Sequence, residues 1–197
     1  IYAALKNNIE IVKLLLNAGA DINKQNNAGN TALILAAYNN RIEIVKLLLN
    51  AGADIDKQNN NGDTALILAS LDNYVEIVEL LLNAGADIDK QNNKGNTALF
   101  YASKDNNIEI VKLLLNADAD IDKQNNNGDT ALILSAMDNN REMVELLLDY
   151  YADEFILNYE NKSFYDHLND ENKQYFREKY PTSVYNAIYY NYKKSFT

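Results

Sequence analysis

The sequence predicts an all-α solenoid, a stack of short helical units rather than a single globule. Three observations carry this. Thr31, Thr64, Thr97 and Thr130 each open a Thr-Ala-Leu-Ile/Phe run, and they stand 33 residues apart. Gly29, Gly62, Gly95 and Gly128 keep the same step, as do Leu14, Leu47, Leu80, Leu113 and Leu146. Within each step small and apolar residues recur at the three- and four-residue spacing of a helix face, as at Leu66, Ala69 and Ser70. A fixed period of this length marks a stacked repeat, whose core grows along the stack.

Residues 1–26 are the back part of a repeat, because Ile9-Glu10-Ile11-Val12-Lys13-Leu14-Leu15-Leu16 matches words that recur later. Full repeats follow at 27–59, 60–92, 93–125 and 126–158. Each opens on a threonine suited to cap a helix, since its hydroxyl can accept a first-turn N–H. Asn40, Asn73, Asn106 and Asn139 stand where the first helix ends, and Asn tolerates the left-handed conformation needed there. The second helix carries residues such as Ile77, Val78, Leu80, Leu81 and Leu82, apolar on nearly all sides. Gly85 stops it, and the polar link from Asp87 to Asn93 leads to the next tip. Residues 159–197 form a degenerate fifth unit and a helical C-terminal cap. Ser163 lies 33 after Thr130, a second helix is expected from about Glu171 to Tyr180, and Pro181 starts a last helix through about Lys193. Ten of the 14 Tyr lie at or beyond Tyr150, which reads as an aromatic cap sealing the last repeat.

The unit resembles an ankyrin repeat. In the second full repeat the matching residues are Gly62, Thr64, Leu66, Ala69, Val78, Leu81, Leu82, Gly85, Ala86 and Asp87, and the resemblance runs from residue 1 to about 158. It implies a β-turn plus two antiparallel helices per unit, hairpin-like tips, and protein binding as the usual role. The chain departs from the family pattern in places. Ala32, Ala65, Ala98 and Ala131 replace the helix-opening Pro, and Ile34, Ile67, Phe100 and Ile133 replace the usual His. The lost Pro costs little, because Pro there mainly pre-sets φ. Burial of the apolar replacement offsets the lost His network by roughly 1.5–3 kcal/mol per buried Ile. Asp118 and Tyr151 replace the Gly after the second helix, and Tyr151 suggests that the fourth full repeat ends differently, into the tail.

Charge and composition narrow the function. The net charge of −10 disfavours nucleic acid and anionic membrane surfaces. No apolar run approaches the ~20 residues that span a bilayer, and no secretory signal is visible. The absence of Cys fits a reducing compartment, so a cytoplasmic setting is expected, with the chain a monomer. His167 is the only His, too little for a zinc site or a His–carboxylate set. Asp87-Ile88-Asp89 and Asp120-Ile121-Asp122 fail as calcium loops, because Asn92 and Asn125 stand where Gly is required and Ala98 and Ala131 where Glu is. Their side chains read as turn formers. The glycines are single and spaced by the repeat, so none makes a phosphate loop. No catalytic residue, cofactor site or metal site is expected.

The expected function is therefore non-catalytic protein binding on the concave surface of tips and first helices. The alternative is a structural spacer in a longer repeat chain, for which the near-identical tips beginning Lys24-Gln25-Asn26-Asn27 and Lys57-Gln58-Asn59-Asn60 speak. The resemblance places the variable positions, by register, at Asn27, Ala28, Asn30, Tyr38 and Asn39 in the first full repeat. The second contributes Asn60, Asn61, Asp63, Leu71 and Asp72. The third contributes Asn93, Lys94, Asn96, Lys104 and Asp105, and the fourth Asn126, Asn127, Asp129, Met137 and Asp138. Leu5, Tyr38, Leu71, Lys104 and Met137 then form one column, mostly apolar; Asn39, Asp72, Asp105 and Asp138 form the next, mostly acidic. Residues 27–59 are neutral, whereas 60–92 carry −5, 93–125 carry −1 and 126–158 carry −6. A partner with an apolar anchor and basic neighbours suits such a surface.

Overall fold

The computed structural model describes residues 1–180, in which the chain forms twelve α-helices and no strand. They come in pairs. The first helices are α1 (Tyr2–Leu5), α3 (Ala32–Tyr38), α5 (Ala65–Leu71), α7 (Ala98–Lys104), α9 (Ala131–Met137) and α11 (Phe164–His167). The second helices are α2 (Ile9–Asn17), α4 (Ile42–Asn50), α6 (Val75–Asn83), α8 (Ile108–Asn116), α10 (Arg141–Asp149) and α12 (Asp170–Lys179). From α1 to α9, each first helix packs on the next first helix and on its own partner, and the core is one continuous cluster along the stack. The expected helix beyond Pro181 lies outside the described residues.

Local chemistry sets the helix ends. Thr31, Thr64, Thr97 and Thr130 each accept the backbone N–H three residues on at 3.2 Å, capping α3, α5, α7 and α9. Asn40, Asn73, Asn106 and Asn139 take φ of 55, 58, 56 and 51°, as expected of the residue that closes a first helix. The Ile34, Ile67, Phe100 and Ile133 side chains that stand for His are all buried.

Tyr151 corrects the sequence expectation. The fourth full repeat ends as the others do, with Tyr151 N–H donating to Leu148 O (2.9 Å) and Ala152 N–H to Leu147 O (3.0 Å). The Gly52 turn makes the same pair of bonds, to Leu49 O and Leu48 O. Tyr151 therefore adopts φ 65° without the freedom of glycine, and its ring stands 91 % exposed. The turn is closed by its own backbone bonds, and the residue bears about 1–2 kcal/mol of backbone strain.

The degenerate fifth unit continues the stack. Phe164, Tyr165, Leu168 and Phe176 are buried, and Ser163 with Asp166 forms a capping box at the start of α11. Arg141 stacks on the Tyr175 ring at 4.5 Å, and it donates to Asn172 Oδ1 (2.8 Å) and Glu171 Oε1 (2.7 Å).

Candidate functional site

The tips are built by side chains closing on backbone. Asn26 N–H donates to Asn30 O at 3.0 Å, while the Asn26 carboxamide oxygen accepts the N–H groups of Ala28 and Asn30. Asn59, Asn92, Asn125 and Asn158 close the later tips in the same way. Successive tips then join: Asn60 N–H donates to Ala28 O (3.1 Å), Asn93 N–H to Asn61 O (3.0 Å), Asn126 N–H to Lys94 O (3.1 Å) and Tyr159 N–H to Asn127 O (3.0 Å). This approach explains Gly62. A Cβ there would sit 2.6 Å from the Asn93 backbone nitrogen, and φ is +78°.

A glutamine ladder runs beneath the tips. Gln25 Nε2 donates to Gly29 O in its own tip (2.6 Å) and to Gln58 O in the next repeat (2.8 Å). Gln58 reaches Gly62 O and Gln91 O, Gln91 reaches Gly95 O and Gln124 O, and Gln124 reaches Gly128 O and Leu157 O. Sequence reasoning missed these four residues as a functional set. Their signal was the invariant step of Gln four residues before each tip glycine.

The expected contact residues divide into three groups. Asn30, Asp63, Asn96 and Asp129 are turned into the stack: each accepts, through its Oδ1, the carboxamide of Asn59, Asn92, Asn125 or Asn158 (3.1, 2.7, 3.2 and 2.9 Å). The last three of the four are buried, so they are joints between repeats and present no free face. At the tips Asn27, Ala28, Asn60, Asn61, Asn93, Lys94, Asn126 and Asn127 are exposed. Asn60, Asn93 and Asn126 use their carboxamide N–H on the O of Asn27, Asn60 and Asn93, so their free acceptors are what remain.

The first-helix column is the third group. Tyr38 is 49 % exposed and Met137 36 %, Lys104 is exposed, and Leu5 and Leu71 are half-buried. The acidic column caps the same helices at Asn39, Asp72, Asp105 and Asp138. Asn39 is partly tied down, donating to Leu35 O at 2.8 Å. Partial burial pushes the Asp72 carboxyl above the usual carboxylate range, and the charge of Asp105 adds to the rise. Neighbouring members of the column thus feel each other.

His167 is half-buried and its Nε2 has no hydrogen-bond partner. Among the described residues, no group of three or more His, Cys, Asp or Glu is placed to hold a metal ion. No helix among them is long and apolar enough to cross a membrane.

Stacked helix pairs, joined at capped polar tips by bonds that recur every repeat, define a helical repeat solenoid. The family described as Ankyrin repeats (3 copies) matches residues 1–92 and again 84–158, and the chain belongs to that family. No curated protein matches it. Ankyrin repeats are generally protein-interaction modules and generally non-enzymatic.

Proposed function

We propose that the chain binds a partner protein, without catalysis, along the row of first-helix ends and tips on its concave side. The observation that carries this reading is one row: Tyr38, Leu71 and Met137, interrupted by Lys104, offer part-exposed apolar surface beside Asp72, Asp105 and Asp138. Apolar side chains lined up along a surface mark a contact site. A Lys or Arg of the partner would offset the like charges of Asp72 and Asp105. The partner class is a segment with an apolar anchor flanked by basic residues. Tyr38 is the expected hot spot, being aromatic and the most exposed of the row. The reading takes the chain as a monomer acting in the cytoplasm, where a protein without Cys loses nothing to a reducing medium. The spacer alternative drew on the near-identical tips; the glutamine and asparagine bonds between repeats account for that uniformity.

The test is a peptide-library selection on the parent chain and on Tyr38→Ala with Leu71→Ala. Enriched peptides should pair an apolar anchor with Lys or Arg. The double variant should bind them weaker by ~2 kcal/mol or more while its melting changes little. Enrichment of acidic peptides, or equal binding to both chains, places the contact surface elsewhere.

A further inference from the structure

Residues 53–68 and 119–134 have one sequence, and each closes its tip on an asparagine followed by glycine, Asn61-Gly62 and Asn127-Gly128. The other tip glycines follow Ala28 and Lys94, so these are the only two such pairs in the chain. Glycine is required here by its φ, +78° and +79°, and by the closeness of the next tip. The residue before it is under no such demand, and Asn61 and Asn127 are both exposed. An Asn-Gly pair carries a reaction of its own. The glycine nitrogen, unhindered by a side chain, attacks the carboxamide carbon of the asparagine. A C–N bond forms, ammonia leaves, and a cyclic succinimide results. Water then opens the ring, giving aspartate or, where the chain now runs through the former side chain, isoaspartate.

The fold holds both pairs shut. Gly62 N–H donates to Asn59 O and Gly128 N–H to Asn125 O, each at 2.9 Å. The carbonyl oxygens of Asn61 and Asn127 accept Asn93 N–H and Tyr159 N–H from the next tip, each at 3.0 Å. The peptide plane between asparagine and glycine is thus pinned at both ends, and its nitrogen reaches the carboxamide only when the tip opens. At Asn61 the next tip adds a second clamp, because Asn93 Nδ2 donates to Asn60 O at 2.9 Å. Tyr159 stands in the register of Asn93, has no carboxamide to give Asn126 O, and is 72 % exposed. The support beneath thins as well. Gln91 ties the tip that clamps Asn61 to Gly95 O and Gln124 O, whereas Leu157, in its register under the tip that clamps Asn127, has no side-chain donor.

From this we infer that Asn127 is a site of spontaneous deamidation, and that Asn61, set in the same sequence, is kept latent by the repeat stacked on it. The reaction runs from a locally opened tip, so its rate follows the fraction of time the tip is open. The Asn127 tip has one clamp fewer and a single unit beyond it, and stability in a stack passes between neighbours. The product changes the surface. An exposed carboxamide becomes a carboxylate, in a unit whose net charge is already −6. In the isoaspartate form the former backbone carbonyl becomes that carboxylate. The backbone, longer by one carbon, no longer presents it to Tyr159 N–H. Deamidation is one-way, so it marks the age of the chain and loosens the joint to the fifth unit.

The test follows the full chain in mildly alkaline buffer, with peptide mapping by mass spectrometry reading the conversion of carboxamide to acid at each site over time. In the folded chain Asn127 should convert faster than Asn61 by about fivefold or more, as the loss of one clamping hydrogen bond near an end implies. In urea the two rates should agree within about twofold, because the surrounding sequence is the same and the clamps are gone. Tyr159→Asn restores the missing carboxamide and should slow Asn127 to within about twofold of Asn61, leaving Asn61 as it was. Equal rates at the two sites in the folded parent overturn the inference, and so does faster loss at Asn61. A Tyr159→Asn chain that is folded by circular dichroism and still loses Asn127 as fast as the parent overturns it too.

Discussion

At one end of the stack lies α2, with the residues of an interior helix and two of its core side chains in the open; at the other lies α12, in the same series, with much of its sequence changed. Phe176 stands in the register of Ile11 and is buried, and Tyr180 stands in the register of Leu15 and is half-buried. Those columns cover the preceding repeat, so they stay apolar. Gln174 replaces Ile9, Arg177 replaces Val12 and Lys179 replaces Leu14, and Lys179 pairs with Glu145 of the preceding unit at 2.9 Å. Two apolar columns against the preceding unit are thus kept in α12, while three others turn polar. α2 keeps Ile9, Val12 and Leu14 apolar.

The sharpest test of that comparison is one truncation at two places. Leu81→Ala removes a side chain that is fully buried between repeats, and unfolding in urea should show a loss of about 2–5 kcal/mol. Leu15→Ala removes its register mate at the open end and should cost under about 1 kcal/mol. Equal losses would mean that α2 is covered as α6 is.

The joint between α10 and α12 is partly polar. Arg141→Ala deletes the stacking on Tyr175 and the bonds to Asn172 and Glu171. A loss of about 1 kcal/mol is expected, with faster amide exchange in α12 and none in α4. Should α4 respond equally, the repeats would be unfolding as one block rather than by neighbours.

Tyr151 offers a change of opposite sign. Tyr151→Gly relieves the left-handed strain at φ 65° and should raise stability by about 0.5–1 kcal/mol in thermal or urea unfolding. A destabilised variant would show that the exposed ring contributes more than the strain costs.

The smallest effect concerns the pair joining α12 to α10. Lys179 Nζ lies 2.9 Å from Glu145 Oε2. Burial alone would raise the Glu145 carboxyl, but hydrogen bonds from Tyr175 and Lys179, with the charges of Lys179 and Arg141, hold it below its usual range. The hydrogen bond to Glu145 lifts the Lys179 ammonium above its own range. A depressed carboxyl contributes stability that is present above its unfolded value and lost as pH falls through its folded one. The raised ammonium loses its contribution only at high pH, as pH rises through its folded value. Lys179→Met should therefore be slightly less stable than the parent at pH 7. That difference should shrink as pH drops below the ordinary carboxyl value of 4.5. A difference that persists in acid would assign the loss to packing of the lysine stem.

Much of this architecture was legible from the chain alone. The 33-residue step, the capping threonines and the left-handed asparagines are local signals, since each depends on residues within a turn or two. The candidate surface was legible only in part. Tyr38 and Met137 stand out as the register implies, but Asn30, Asp63, Asn96 and Asp129 share the polar character of the exposed tip residues and differ in direction. Their partners lie 29 residues away in sequence, so no local pattern marks them as joints. Tyr151 shows the converse, because local backbone bonds close the same turn with a residue that lacks the freedom of glycine.

By itself, then, the sequence determined that the chain makes helix pairs, where each helix starts and stops, and which family they form. The tertiary structure alone decided which copy of a repeated word becomes core and which becomes surface. The nine residues of α2 and α4 have identical propensities and identical patterns, yet Leu48 is sealed and Leu15 is not. Burial is a property of the neighbour that covers a side chain, and in a stack that neighbour is a whole repeat away.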